Sequence, residues 1–181
     1  MLNVFCDGSI TGGAWAKKKD APSLPHSWCG YIIKTEEGDY VHHHTLDLGE
    51  GELRSANFSE HWAVNSALRW IVKNRPGERV RIHTDSQLTI GHLSGVFQIN
   101  NPILAEIATN TLALVGRLPM VYYKWIRRAQ NTEADILSKA LQPGFWGRLP
   151  TLDELAAAVA IWPKKPCPLP KKSKAVVVPT A

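Results

Sequence analysis

Four carboxylates in this chain stand where a carboxylate can do chemistry. Asp7 and Asp85 each follow a short apolar run and precede small polar residues, in Val4-Phe5-Cys6-Asp7-Gly8-Ser9 and Ile82-His83-Thr84-Asp85-Ser86. Glu60 shares a helical stripe with Ala63, Ala67 and Ile71, and Asp135 lies beside Ala134 and Leu137. Each has a plainer explanation when taken singly. Asp starts turns, and Asn57 to Glu60 and Thr132 to Asp135 approach the spacing of a helix capping box. Taken together, four gathered carboxylates repel one another, and burial makes their ionisation costly. A cation relieves both penalties. Oxygen donors without Cys or His select Mg²⁺ or Mn²⁺ over zinc. Two such ions roughly 3.5–4 Å apart can activate a water and stabilise the leaving oxygen of a phosphodiester.

The segments around these acids must place them. Leu2 to Cys6, Trp28 to Lys34, Tyr40 to Leu48, Val80 to Thr84 and Pro119 to Ile126 have strand composition. The turn Glu36-Glu37-Gly38-Asp39 makes the second and third an antiparallel hairpin. Helices are expected over Asn57 to Asn74, Ser86 to Leu93, a stretch opened by Asn101-Pro102 and closed by Gly116, and Asn131 to Leu141. The order β-β-β-α-β-α-α-β-α predicts an α/β fold, a mixed sheet covered by helices. Thr11 to Ser27 reads as a long loop. Residues 1–142 are expected to form one domain, 143–162 an extension with a helix over Thr151 to Ile161, and 163–181 a flexible, basic Pro- and Lys-rich tail.

The chain has 181 residues and a formal charge of +5, which suits a nucleic-acid partner. Three cysteines, Cys6, Cys29 and Cys167, make neither a disulfide framework nor a zinc motif. There is no signal-peptide pattern and no apolar run long enough for a membrane span. A reducing, cytoplasmic setting and a monomer are expected.

Asp7-Gly8-Ser9, Ser55-Ala56-Asn57-Phe58-Ser59-Glu60-His61-Trp62-Ala63, Thr84-Asp85-Ser86-Gln87-Leu88 and Arg127-Arg128-Ala129-Gln130-Asn131-Thr132-Glu133-Ala134-Asp135 resemble type 1 ribonuclease H, in sequence and in order, from about Met1 to Leu141. The resemblance implies a ribonuclease H-like fold with a five-stranded mixed sheet, its third strand antiparallel at an end. It implies an endonuclease that cuts the RNA strand of RNA–DNA hybrids, leaving 5′-phosphate and 3′-hydroxyl ends. Asp7, Glu60, Asp85 and Asp135 match the catalytic, metal-binding carboxylates, with Asp7 bridging two ions. Asn57 and Gln87 match positions that touch the minor groove. Gly8 and Ser9 accompany the first acid at the substrate, Ser55 stands where a Thr contacts a DNA phosphate, and Glu60 matches the contact to the RNA 2′-hydroxyl.

The departures point to the archaeal- and plant-like branch. Trp125 to Gln130 lacks the loop histidine of other branches, and Arg128 stands seven residues before Asp135. An Arg can stabilise phosphate charge but cannot shuttle protons at neutral pH. Ala56 replaces an Asn common in the motif. The basic protrusion is missing, since Gly95 to Leu104 contains no Lys or Arg. Lys17-Lys18-Lys19 and the tail lysines 164, 165, 171, 172 and 174 are the alternative phosphate contacts. Alternation in a strand sends His42, His43 and His44 to opposite faces, against a metal site there. Trp15, Trp28, Trp62, Trp70 and Trp125 are expected in the core, and Cys6 and Cys29 as buried thiols on adjacent strands. Two other functions share the fold: a DNA resolvase or transposase-like nuclease, and a non-catalytic nucleic-acid-binding module beside a reverse transcriptase.

Overall fold

Alternate burial of Leu2, Val4 and Cys6 marks one face of the first strand. In the computed structural model, which describes residues 1–12 and 24–162 and the backbone of Val176–Val178, this strand is β1 (Leu2–Thr11). The others are β2 (His26–Lys34), β3 (Tyr40–Glu50), β4 (Val80–Thr84), β5 (Val121–Trp125) and β6 (Val176–Val178). The helices are α1 (Ala56–Asn74), α2 (Gln87–Leu93), α3 (Pro102–Val115), α4 (Thr132–Leu137) and α5 (Leu152–Ile161). The sheet runs β3-β2-β1-β4-β5-β6. β1, β4 and β5 are parallel, and β2 opposes both β1 and β3. The expected five-stranded mixed sheet is therefore present with β3 at its end. The reversed strand is β2, so β3 shares the direction of β1.

Three differences from the sequence expectation have physical causes. Asp7-Gly8-Ser9 does not stop β1, because β2 pairs alongside it as far as Thr11↔His26. The helix expected to reach Leu141, α4, ends at Leu137, where Lys139 N and Ala140 N bond three residues back and tighten the chain into turns. Within the segment expected to be a flexible tail, Val176–Val178 adds a sixth strand antiparallel to β5. Lys17-Lys18-Lys19, Trp15, Cys167 and the tail lysines lie outside the described residues.

Helices cover both faces. α1 lays Ala63, Val64, Ala67, Leu68 and Ile71 against Val4, Tyr31, Ile33, Val80 and Ile82, with α3 behind it. On the opposite face Ile32 meets Ile136 and Leu137 of α4 and Leu155 and Ala158 of α5. Each fully buried Leu or Ile contributes about 1.5–3 kcal/mol, enough to seat so short a helix as α4.

Two strand glycines set how closely the helices approach. A Cβ on Gly8 would lie 2.4 Å from the Glu60 amide nitrogen, and one on Gly30 would lie 2.5 Å from the backbone of Leu137 and Ser138. α1 thus touches β1 beside Asp7, and α4 touches β2 at the residue paired with Asp7. His42 stacks on Trp70, while His43 bonds the Pro150 carbonyl from the other face, as strand alternation requires. Cys6 and Cys29 are buried free thiols on adjacent strands, and Trp28 is buried. Trp62, Trp70 and Trp125 are partly buried against the α1-side core. Among the described residues, no helix is long and apolar enough to cross a membrane.

Candidate active site

The parallel β1–β4 ladder ends at Phe5↔His83. Continuing its register brings Asp7 level with Asp85, where β4 stops while β1 runs on beside β2. This break at the strand ends is the favoured place for a site in such sheets. Asp7 is buried. Ser138 Oγ donates to its Oδ2 at 3.1 Å. Asp85 Oδ1 accepts from Asn131 Nδ2 at 3.1 Å, and the same amide donates to the Cys6 carbonyl at 2.9 Å. Trp125 Nε1 donates to the Asp85 carbonyl at 3.0 Å.

Glu60 is not a cap. Ser55 is the N-cap of α1, its hydroxyl accepting from Phe58 N at 3.1 Å, so Glu60 falls in the second turn and faces the sheet. Thr89 Oγ1 donates to Glu60 Oε2 at 3.2 Å. Behind it, Thr89 Oγ1 lies 3.4 Å from His61 Nδ1, and His61 Nε2 lies 3.1 Å from His92 Nδ1. Asp135 lies in the first turn of α4 without capping it. Its Oδ1 accepts from Arg128 Nη2 at 2.7 Å and from Lys139 Nζ, and its Oδ2 accepts from Trp162 Nε1 at 2.7 Å.

The electrostatics join the four acids. Burial pushes the Asp7 carboxyl well up, and Asp85, Asp135 and Glu60 push the same way, against Lys139. Burial also raises Glu60, with Asp85 adding to it and the Ser86 and Thr89 hydroxyls opposing. Burial works to raise Asp135 too. There the Lys139 hydrogen bond and charge, the Trp162 hydrogen bond and Arg128 prevail, and the carboxyl lies below its ordinary value.

Among the described residues, no three Asp, Glu, His or Cys side chains stand close enough to form a ready cage for an ion. The donor set still suits a hard divalent cation. It is made of carboxylate oxygens, and the repulsion raised at Asp7 by three other acids is what a bound cation would reverse.

Of the residues expected at the substrate, Arg128 is 54% exposed beside Asp135, Gln87 is exposed at the start of α2, and Asn57 and Ser55 are partly buried at the start of α1. Gly8 serves the close approach of α1. Ser9 is buried. Its hydroxyl bonds the Ser138 carbonyl and accepts from Gln142 Nε2 at 2.8 Å, and its carbonyl accepts from Ser59 Oγ at 3.1 Å. These bonds brace β1 against α1 and against the turns that follow α4. Thr89, Asn131, Ser138, Lys139 and Trp162 were not singled out by the sequence. Asn131 lies within a quoted motif, but its partners are 46 and 125 positions away.

This topology, with carboxylates gathered where β1 and β4 part, defines a ribonuclease H-like domain. The chain belongs to the reverse transcriptase-like family, whose sequence profile matches residues 19–141. It is similar in structure to ribonuclease H1 of the archaeon Halobacterium salinarum NRC-1, with a TM-score of 0.65 and 19% identity over 77% of this chain and 95% of that one. LC11-RNase H1, in a crystal structure with an RNA/DNA hybrid, gives 0.64 and 22%, over 76% and 93%. The N-terminal ribonuclease H domain of Rv2228c from Mycobacterium tuberculosis gives 0.63 and 21%, over 76% and 95%. In sequence, the bifunctional protein Rv2228c of Mycobacterium tuberculosis is 33% identical over 54 residues, 30% of this chain. The chain spans 15% of the length of that relative.

Proposed function

We propose that this chain is a metal-dependent endonuclease that hydrolyses the RNA strand of RNA–DNA hybrids. The observation that carries the proposal is the meeting of four carboxylates where β1 and β4 part, Asp7 and Asp85 from the strand ends and Glu60 and Asp135 from the helices packed on either face. The hybrid bound to LC11-RNase H1 supports the substrate class.

Asp7 and Asp85 would hold Mg²⁺ or Mn²⁺ from the sheet, with Glu60 and Asp135 completing the set from the two helices. The bound ions would supply an activated water and offset charge on the phosphate and leaving oxygen. The chain's own residues prepare that chemistry. Asn131 orients Asp85 and ties it to β1, and Ser138 orients Asp7. Thr89 holds Glu60, which would take the RNA 2′-hydroxyl. Arg128 stays cationic because nearby Asp135, Asp7 and Asp85 outweigh its desolvation, and it offers guanidinium donors to the phosphate. Gln87 and Asn57 flank Asp85 and Glu60 and would read the minor groove, with Ser55 on a DNA phosphate. The two buried free thiols, Cys6 and Cys29, fit a reducing, cytoplasmic setting, in which we place the protein as a monomer.

The test is cleavage of a labelled RNA–DNA hybrid with Mg²⁺ or Mn²⁺, beside matched duplex DNA, duplex RNA and single strands. The expected result is metal-dependent cutting of the hybrid's RNA strand alone, abolished in Asp85→Asn with its fold intact. Near-normal turnover in that variant would sink the assignment. Cutting of DNA would instead identify a resolvase-like enzyme.

A further inference from the structure

Both oxygens of Asp135 are engaged, and their partners differ in origin. Arg128 and Lys139, on Oδ1, belong to the segment matched by the family profile. Trp162, on Oδ2 at 2.7 Å, lies beyond residue 141, where that match ends. It is the C-cap of α5.

The extension is built to aim this indole. Thr151 and Glu154 form a capping box at the start of α5, and Arg148 reaches Glu154 at 2.5 and 2.8 Å. Leu155 and Ala158 are buried against Ile136 and Leu137, the residues that follow Asp135. At the far end of the helix the Trp162 ring meets Phe145 at 6.2 Å, and Lys139 Nζ lies 5.4 Å from its centroid. The indole therefore touches both the acid and one of the two cations on it.

An indole N–H donates and cannot accept, and it carries no charge. An arriving divalent ion competes with the two cations at Oδ1. A neutral donor on Oδ2 does not oppose it, and a carboxylate has about four lone-pair positions to share. Hydrogen bonds from surrounding groups to a ligating carboxylate fix its orientation, and their loss typically costs about 10–100-fold in metal affinity.

We propose that Trp162 is a positioning residue for Asp135, through which the C-terminal extension sets the divalent-ion affinity of the site. This rests on the reading of Asp135 as a metal-binding carboxylate. α5 is then a working part of the site, carried beyond the residues that the family profile matches.

The test is Mn²⁺ binding to the full chain by calorimetry without nucleic acid, in the unaltered protein, Trp162→Phe and Asp135→Asn. Phe keeps the ring in its apolar seat and deletes the N–H. Weakening of Mn²⁺ binding by about 10-fold in Trp162→Phe, with hybrid cleavage recovered at saturating Mn²⁺, supports the proposal. Equal or tighter binding overturns it. If Asp135→Asn leaves binding unchanged, the metal reading of Asp135 fails first. If Asp135→Asn loses binding and Trp162→Phe does not, only the present inference fails. A measurement on the unaltered chain guards against a variant that loosens α5. The indole N–H resonance of Trp162, identified by its absence in Trp162→Phe, should resist solvent exchange and shift on addition of Mg²⁺. A freely exchanging resonance that does not move overturns the proposal.

Discussion

Glu60 and Asp135 are the two helix-borne acids of one site, and they sit in opposite electrostatic surroundings. Glu60 has hydroxyls and, behind them, two histidines, and burial drives its carboxyl up. Asp135 has two cations and an indole, and its carboxyl lies below the ordinary value. The same residue class thus accepts from a hydroxyl on one side and is paired with two cations on the other. A cluster of acids without any internal cation would strain the fold. A cluster with every acid paired would have no charge left to draw an ion. Under the proposed metal-dependent function, the contrast between the two sides meets both demands.

The sharpest way to break this comparison is to neutralise each acid in turn. Glu60→Gln and Asp135→Asn should each reduce hybrid cleavage by about 100-fold or more, equivalent to about 2.7 kcal/mol of barrier. Their stabilities should part. Asp135→Asn leaves Arg128 and Lys139 without their carboxylate and should destabilise the fold by about 1–3 kcal/mol. Glu60→Gln removes a costly buried charge and should leave the melting temperature unchanged or higher. Parallel losses of stability in the two variants would refute the contrast.

Next is placement. Glu60 reaches the cluster because Gly8 admits the α1 backbone, whereas Asp135 depends on Gly30 and the packing of α4. Gly8→Ala should cost about 1–3 kcal/mol or more by overpacking. It should lower activity while keeping the Trp162 indole resonance in place, since Asp135 and its partners lie on the other face. A displaced indole signal would show that the two sides are mechanically one.

The smallest effect is one of pH. Burial depresses His61 to about 4, well below its unfolded value of about 6.5. The unfolded chain therefore binds more protons than the fold between these values. The stabilisation from neutral His61 is complete above about 6.5 and is lost as pH falls toward about 4, at about 1.4 kcal/mol per unit at most. His83, also held at about 4 by burial, adds to the slope. The raised carboxyls of Asp7 and Glu60 act in the opposite sense, favouring the fold as they protonate. Melting temperatures between pH 7 and 4 should fall less steeply in His61→Gln. Identical slopes would remove His61 from the account.

Much of this architecture was legible in the residues because it is local. β4 and α3 were read at their observed limits, since Asp85 ends an apolar run and Asn101-Pro102 caps a helix, and both signals span only a few positions. Strand length was not local. β1 continues through Asp7-Gly8-Ser9 because a partner strand lies beside it, and no composition rule within that tripeptide shows this. The partners of the Ser9 hydroxyl were not legible for the same reason, as they lie 129 and 133 positions away.

By itself the sequence determined which side chains could carry charge, which faces of strands and helices were apolar, and the order of the elements. These follow from residue chemistry and backbone periodicity. Only the tertiary structure decided that Gly8 brings Glu60 beside Asp7, that Asn131 and Ser138 orient the strand acids, and that Trp162 reaches back to Asp135. Those contacts join residues far apart in the chain. They form only after burial of the two apolar faces has repaid the entropy of closing the loops between them.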